Sequence, residues 1–400
     1  MNRITKIAIA ITTIAFSAIA TAQNHPLERP CGTSHERTEI IIPKVKGCNV
    51  YKADLHIHTI YSDGEVTPDA RVIEAWHDGL DVIAITDHME YRRIEREMFK
   101  YMNNYIREDL RNEEKAVNTN VLTKPADERG ILVDLNVPYE SAVKKARNYG
   151  LLVIRGVEIT RKKLGDYNAL FTTDNNKIYD PDLEQTIRNA RAQGAFIIHN
   201  HPMFDKKSPN TITPFTNDLY AKGLIDGIEV ANSVRMYPHL FSYCIDGGYT
   251  PCGDSDAHSY IDWRYRSSSA ENNITRYRNM TLILAKDLTE KALHKALKEG
   301  NTIAYHNNNL IGKRQLLEEL FKASVKFTLQ RTGSADDYIT VTNHSSLPYY
   351  VQIGKSKHII NGMGSLFIKR KKSKNGEIKV TVLNMWHGND LHPSVYVKLK

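Results

Sequence analysis

Cysteine is scarce in this chain: there are four in 400 residues, and no two stand in a CxxC spacing. That leaves a thiolate zinc site without support. No GxGxxG follows a strand-like run, which excludes a dinucleotide-binding crossover, and no GxSxG offers a serine nucleophile. Long apolar runs are missing as well. The N-terminal uncharged stretch, residues 7–20, holds 14 residues, fewer than the ~20 that cross a bilayer. No later segment is longer and apolar. Charge of one sign is not in large excess, with Lys+Arg 54 against Asp+Glu 46 and a net charge of +8. From residue 311 onward 15 basic and 6 acidic residues give +9, whereas residues 23–310 carry −3. The basic excess therefore sits in the last quarter and says little about a substrate.

What is present begins with an N-terminal leader pattern. Arg3 and Lys6 precede the uncharged stretch, and Ala20-Thr21-Ala22 closes it as a small-x-small site. Residues 1–22 are expected to be a signal peptide cleaved after Ala22, giving a secreted or periplasmic protein that is not integral to the membrane. In an oxidising compartment Cys31–Cys48 and Cys244–Cys252 form the simplest of three pairings; four unpaired thiols are the alternative. The remaining composition, 41% hydrophobic and 25% charged, is that of a folded protein, and the length predicts two domains. Residues 23–49 form an N-terminal segment.

Between residues 50 and 310 one grammar repeats: a capped helix, a glycine, an apolar strand, then a polar cluster. Thr67 and Pro68 open "PDARVIEAWHDG", and strand "LDVIAIT" runs into Asp87-His88. "PYESAVKKARNYG" leads to "LLVIRGVEI" and Glu158, and Asp180 caps "PDLEQTIRNARAQG" before "AFIIHNHP". "GLIDGIEVAN" and "YTPCGDSDAH" supply further strand ends, and Thr289 caps "EKALHKALKEG" before "TIAY". Alternating helices and strands predict an α/β architecture with a parallel sheet. Polar clusters at the ends of many strands favour a closed or nearly closed barrel. "EYRRIEREMFKYMNNYIREDLRNEEK" at 90–115 breaks the grammar, either as an element overhanging the site or as a solvated insertion. From 311 to 400, short alternating segments predict a small β-sandwich, with Asn375-Gly376 as a hairpin signal. The run "KRKKSK" at 369–374 reads as a solvated turn or a grip for an anionic surface.

The chemistry is concentrated in "DLHIHTIYSDG", residues 54–64. Side chains two apart on a strand share a face, so Asp54, His56 and His58 point one way, and two imidazoles converging on one point suit a metal. Asp63, His88, Glu158, His199, His201, Asp256 and His258 follow at or near successive strand ends. All are nitrogen or oxygen donors, which suits Zn, Mn or Fe. They exceed what one ion needs, so two or three divalent ions are expected. Asp54 and Asp87, beside ligands in sequence, are candidates to orient them, or ordinary strand-end and turn hydrogen bonds. Glu229 either lines the pocket or caps a loop. Arg155, Arg161 and Arg264 are candidates to meet a phosphate, though each equally fits a surface role. The substrate-binding residues are otherwise unmarked.

These motifs, in this order, resemble the polymerase and histidinol phosphatase (PHP) domain family. "DLHIHTIYSDG" is similar to its first motif, "AITDH" to its second, "GVEIT" to its glutamate motif, "HP" to its fourth and "GDSDAH" to its last. The resemblance covers roughly 50–310 and includes "GDYNALF" and the closing "MTLILAKDLTEKALHKALKEGNTIAYHNNNLIG". It implies a distorted seven-stranded βα barrel and metal-dependent phosphoesterase activity. By the resemblance, His56, His58, Glu158 and Asp256 hold one ion. Glu158 bridges to a second, bound also by His201, and Asp63, His88 and His258 hold a third. Family members with three ions often carry another histidine between the glutamate and the "HP" histidine. This chain has none between Glu158 and His199, so either His199 substitutes from an unusual position or the second site is weak.

The expected function is exported hydrolysis of a phosphate monoester or diester by a metal-activated hydroxide. Asp63, Asp256 and His258 are its candidate catalytic groups, and the partner is a phosphorylated small molecule or anionic polymer. No nucleic-acid motif is present. One rival is a metal-dependent hydrolase of C–N or C–O bonds, which a metal-bridging lysine at a strand end would favour; none is seen. Another is a non-catalytic binder of an extracellular polymer, which would not need a complete ligand set.

Overall fold

The computed structural model describes residues 36–95, 130–161, 164–202, 212–261, 275–372 and 376–399. The leader at 1–22, Cys31, Arg264 and most of the 90–115 segment lie outside these residues. Strands β1 (Asn49–Asp54), β2 (Val82–Ile85), β3 (Leu152–Arg161), β4 (Gly165–Leu170), β5 (Phe196–His199) and β6 (Gly227–Asn232) come first. Then come β7 (Arg235–Met236), β8 (Thr250–Asp254), β9 (Met280–Ala285), β10 (Thr302–His306) and β11 (Asn309–Gly312). The helices are α1 (Pro68–His77), α2 (Val137–Ala146), α3 (Leu183–Ala192), α4 (Pro214–Ala221), α5 (Phe241–Asp246), α6 (Glu290–Lys298) and α7 (Arg314–Ser324). Strands β12 (Val325–Thr332), β13 (Asp336–Asn343), β14 (Tyr349–Ile353), β15 (Ser356–Ile360), β16 (Ser365–Lys371), β17 (Glu377–Val382), β18 (Met385–Trp386) and β19 (Ser394–Lys398) complete the chain. No described helix is long and apolar enough to cross a membrane.

The main sheet has 12 strands in the order β18-β11-β10-β9-β1-β2-β3-β4-β5-β6-β7, with β8 paired to β6. It is larger and more mixed than the seven-stranded parallel barrel expected. β1, β2 and β3 run parallel, as do β5, β6 and β8, but β4 joins the two groups antiparallel to both. β9, β10 and β11 extend the other edge antiparallel. The sheet curls: beyond β1 and β8 a parallel bridge, Ile57 to Ala257, joins segments that the strand order places far apart.

Alternation explains why the strands read as continuous apolar runs. On β2, Val82 and Ala84 enter one core while Ile83 and Ile85 enter another, so both faces are covered. The caps follow the sequence closely. Thr67 accepts from Ala70 N at 3.3 Å, and Thr289 accepts from Ala292 N at 3.2 Å. The cap of α3 is Asp182, not Asp180. Asp182 accepts from Gln185 N, whereas Asp180 accepts from Asp182 N and sets the turn before the cap.

The C-terminal part forms two further sheets, β12-β13-β16 and β15-β14-β17-β19. Their buried faces share one core, with Phe327, Ile339 and Ile368 meeting Val351, Val380 and Val395. β18 leaves this part to pair with β11, so the boundary near 310 is bridged by a strand. Asn375 lies outside the described residues, and the strands on either side do not pair as the hairpin signal predicts: β16 pairs with β13, and β17 with β14 and β19. Lys369–Lys371 of the basic run lie on β16 rather than in a turn. The Cys244–Cys252 pairing is also corrected. Both are buried free thiols. Cys244 on α5 packs in one core cluster and Cys252 on β8 in another, so the sulfurs face different neighbours.

Candidate metal centre

Past Asp54 the chain keeps its extended course, held between two neighbours. Ile57 exchanges hydrogen bonds with Thr86, and His58 N donates to Ala257 O at 3.0 Å. Asp256 N donates to His56 O at 2.9 Å. Alternation therefore continues, and His56 and His58 are both buried with Nε2 atoms 3.0 Å apart. The loop after them is shaped by Asp87, whose carboxylate accepts from Thr59 N at 2.7 Å, Thr59 Oγ1 at 2.6 Å and Ser62 Oγ at 2.6 Å. Gly64 closes the loop against its own start. A Cβ there would stand 2.8 Å from the His58 carbonyl carbon and Thr59 N. This turn delivers Asp63.

The other candidates arrive from separate elements: His88 follows β2, Glu158 lies within β3, His201 follows β5, and Asp256 and His258 follow β8. His201 and Asp256 have φ of 24° and 51°, so the chain leaves regular strand geometry where it turns each side chain inward. Glu158 Oε2 lies 3.3 Å from His56 Nε2, 3.2 Å from His58 Nε2 and 3.0 Å from His88 Nδ1. Its Oε1 is 3.5 Å from His201 Nε2. Asp256 Oδ1 is 3.2 Å from Nε2 of both His56 and His58. Asp63 Oδ2 is 3.2 Å from His258 Nε2 and 3.5 Å from His88 Nε2.

Three groups result, each with donor atoms within 4.8 Å of one another: His58, Asp63, His88 and His258; His56, Glu158 and His201; and His56, His58 and Asp256. All eight ligand candidates other than His199 are brought together. The donor set fits divalent cations on a further ground. Glu158 Oε2 and Asp256 Oδ1 are buried and accept no hydrogen bond, although each faces imidazole nitrogens. Buried carboxylate oxygens left in that state are costly unless a cation satisfies them.

The electrostatics agree. Burial works against charge on His56, but Asp256, Glu158 and Glu229 outweigh it and raise its pKa well above the usual value. Burial likewise opposes His88 and His201, yet the carboxylates around them push these to about 10 and about 9. Glu158, Asp256 and Asp63 are held below the usual carboxylate range by facing histidines, against the opposing effect of burial. Acids and imidazoles that perturb one another in this way cluster at functional sites.

Behind the ligands lies a layer only partly visible in the sequence. Glu229 accepts from His56 Nδ1 at 2.8 Å, from His201 N at 2.7 Å and from Asn232 Nδ2 at 2.9 Å. It therefore fixes which nitrogen of His56 faces the cluster. Asn200 donates to Glu158 Oε1 at 2.7 Å. Asp54 pairs with the buried guanidinium of Arg278 and accepts from Ser255 N at 3.0 Å. Asn200 and Arg278 carry no motif. Glu229 has a signal, an acid on the strand "GIEVAN" with apolar neighbours.

His199 is a correction. It stands outside the three groups, stacked on Tyr167 at 5.0 Å, with Nδ1 2.9 Å from Tyr220 OH. Burial lowers its pKa to about 3, so it stays neutral. β5 ends at His199 and His201 has positive φ, so the two histidines do not share a face. Two of the proposed phosphate-binding arginines are engaged elsewhere. Arg155 donates to Asn136 Oδ1 at 2.6 Å, and Arg161 pairs with Glu90 and donates to Asp180 O at 2.8 Å.

The sequence matches the PHP domain family over residues 54–372, past the expected boundary near 310. No curated protein matches it. Among solved structures it is similar to a two-domain protein from Bacteroides vulgatus containing a predicted PHP-like metal-dependent phosphoesterase. That match has 27% identity and a TM-score of 0.75, covering 92% of this chain and 100% of the other. It also resembles a lesion-specific endonuclease from Pyrococcus furiosus, at 18% identity and TM-score 0.35, covering 62% of this chain and 56% of the other. An amidohydrolase from Chromobacterium violaceum is similar at 14% identity and TM-score 0.33, covering 52% of this chain and 87% of the other. The family match spans most of the length, and its histidines and carboxylates converge in one cluster: the chain belongs to the PHP domain family.

Proposed function

We propose that this protein is a metal-dependent phosphoesterase that hydrolyses a phosphate monoester or diester of a small molecule or an anionic polymer. The observation that carries the reading is the set of three overlapping groups with two orphaned carboxylate oxygens at their centre. His56, His58, Glu158, His201 and Asp256 would hold one or two ions, and Asp63, His88 and His258 a further one. Divalent ions there supply Lewis-acid polarisation of the phosphoryl oxygens and lower the pKa of water.

The chain's own groups do the rest. Glu229 keeps His56 in the tautomer that presents Nε2. Asp87 fixes the loop that carries Asp63. His258 is the most exposed of the ligands, and its Nε2 lies beside Asp63 Oδ2. This pair stands at the open side, where a proton can pass to the departing oxygen. Asp256 spans His56 and His58, holding both rings toward one point. The division into a hydrolytic part up to about 310 and a β-rich part after it belongs to the same proposal. So does export through residues 1–22, which an N-terminus at Gln23 on the mature protein would support.

The test is a panel of phosphate monoesters, diesters, amides and carboxylic esters, run with the wild type, His56→Ala and Asp256→Ala. Turnover of phosphoesters by the wild type that is lost in both variants supports the reading. Phosphoester turnover that survives both, or turnover confined to amides and carboxylic esters, would sink it.

A further inference from the structure

Helix α1 carries a residue that the metal cluster alone does not explain. Its buried face is Pro68, Arg71, Val72 and Ala75. An arginine on the core stripe of an amphipathic helix is unusual, because a buried guanidinium needs several acceptors. Arg71 is fully buried and finds them in two loops. Its Nε donates to His58 O at 2.9 Å, its Nη2 to Ala257 O at 2.8 Å, and its Nη1 to Ser259 O at 2.8 Å. Among the described residues the carboxylate it meets is Glu74, at 2.8 Å, one turn along the same helix. Glu74 in turn accepts from Ile261 N, which ties the helix again to the chain after β8.

Those carbonyls belong to the two segments that carry five ligand candidates: His56, His58 and Asp63 on one, Asp256 and His258 on the other. The segments meet beyond the ends of β1 and β8, where ladder pairing has stopped. There the backbone bonds between them are Asp256 N to His56 O, His58 N to Ala257 O, and Glu65 N to His258 O, with Leu55 N to Asp254 Oδ1, Ser255 N to Asp54 Oδ1 and Ser255 Oγ to His56 O at the strand ends. Arg71 caps this junction from beneath, with a rigid planar fork that reaches both sides at once. Two of the three donor groups draw on both segments; the group of His56, Glu158 and His201 does not.

We propose that Arg71 is a positioning residue that fixes the spacing of these two segments, and so controls the ions that Asp256 and His258 help to hold. It touches no reacting atom. The proposal rests on reading the cluster as a metal centre, and the experiment separates the two. Metal-stripped wild type, Arg71→Met and Arg71→Lys are titrated with Mn²⁺ by equilibrium dialysis, with far-UV circular dichroism as the measure of fold. The expected result for folded Arg71→Met is at least one ion fewer, or at least tenfold weaker binding at the sites that use Asp256 and His258. The ion held by His56, Glu158 and His201 is kept. Low millimolar guanidinium, filling the vacated fork, restores part of the loss.

Arg71→Lys keeps the charge but reaches fewer carbonyls, and falls between the two; it decides the matter if the methionine variant does not fold. Wild-type ion count and affinity in a folded Met or Lys variant overturns the role of Arg71 while leaving the metal centre intact. A wild type that binds no ion overturns the metal reading and this inference with it. A merely structural Arg71 would lower the melting temperature without changing ion count or responding to guanidinium, and that outcome also refutes the proposal.

Discussion

Replacing Glu229 by glutamine keeps the volume of the side chain and removes one acceptor. Three donors converge on this carboxylate: His56 Nδ1 at 2.8 Å, His201 N at 2.7 Å and Asn232 Nδ2 at 2.9 Å. The backbone N–H of His201 donates whatever the side chains do, so the single oxygen of glutamine turns toward it. The glutamine NH₂ then faces His56 Nδ1, which becomes an acceptor, and the ring proton moves to Nε2. That is the atom facing Glu158 at 3.3 Å and Asp256 at 3.2 Å, and a protonated nitrogen cannot bind a cation. Losing the carboxylate behind a ligating histidine costs about 10–100-fold in metal affinity, or roughly 1.4–2.7 kcal/mol. Titration calorimetry with Mn²⁺ on metal-stripped protein should show that fall for ions that use His56, and little change for the ion of Asp63, His88 and His258. Affinities equal to wild type at every site would refute the tautomer argument. So would an equal fall at every site.

Three further outcomes follow from the same geometry. In chelated protein, His88 and His201 titrate at about 10 and about 9, above their unfolded value near 6.5. Their stabilisation is full below that value and is lost as pH rises through 9 to 10. Melting of the chelated protein should therefore fall between pH 7 and 10 while metal affinity rises over the same range; a flat melting profile contradicts this. Replacing His199 by phenylalanine should leave the ion count unchanged. It should destabilise the fold by about 1–3 kcal/mol, because Tyr220 OH loses its partner; a lost ion would restore His199 as a ligand. Gly64→Ala should cost about 1–3 kcal/mol and weaken the ion held through Asp63, since the new Cβ must displace the loop it closes. Unchanged melting and binding would show that the loop yields freely.

Much of the centre is legible in the sequence because it sits where strands end. His56, His58, His88, Glu158, His201, Asp256 and His258 each follow or lie on an apolar run, and the order of these runs is the order of the motifs. Legibility fails where the backbone departs from regular geometry. Alternation pairs His199 with His201, but the strand stops between them and the two rings part. Spacing pairs Cys244 with Cys252, but a helix and a strand carry them into different cores. The antiparallel β4 has no helical crossover before it, so the alternating grammar gives no sign of it as a mixed-sheet element. Asn200, Arg278 and Arg71 act through hydrogen bonds to groups far away in sequence, which no spacing encodes. Arg71 has the clearest signal among them, a charge on the buried stripe of α1.

The central claim is that one cluster holds more than one divalent ion and that these ions serve phosphoester hydrolysis. The most direct measurement is the count of bound metal per chain on purified protein, with phosphoesterase activity followed as the ions are stripped and restored. Two or three ions per chain are expected, with loss of activity on chelation and its return with Mn²⁺ or another divalent ion. One ion or none per chain, or phosphoester hydrolysis unchanged by their removal, would contradict it.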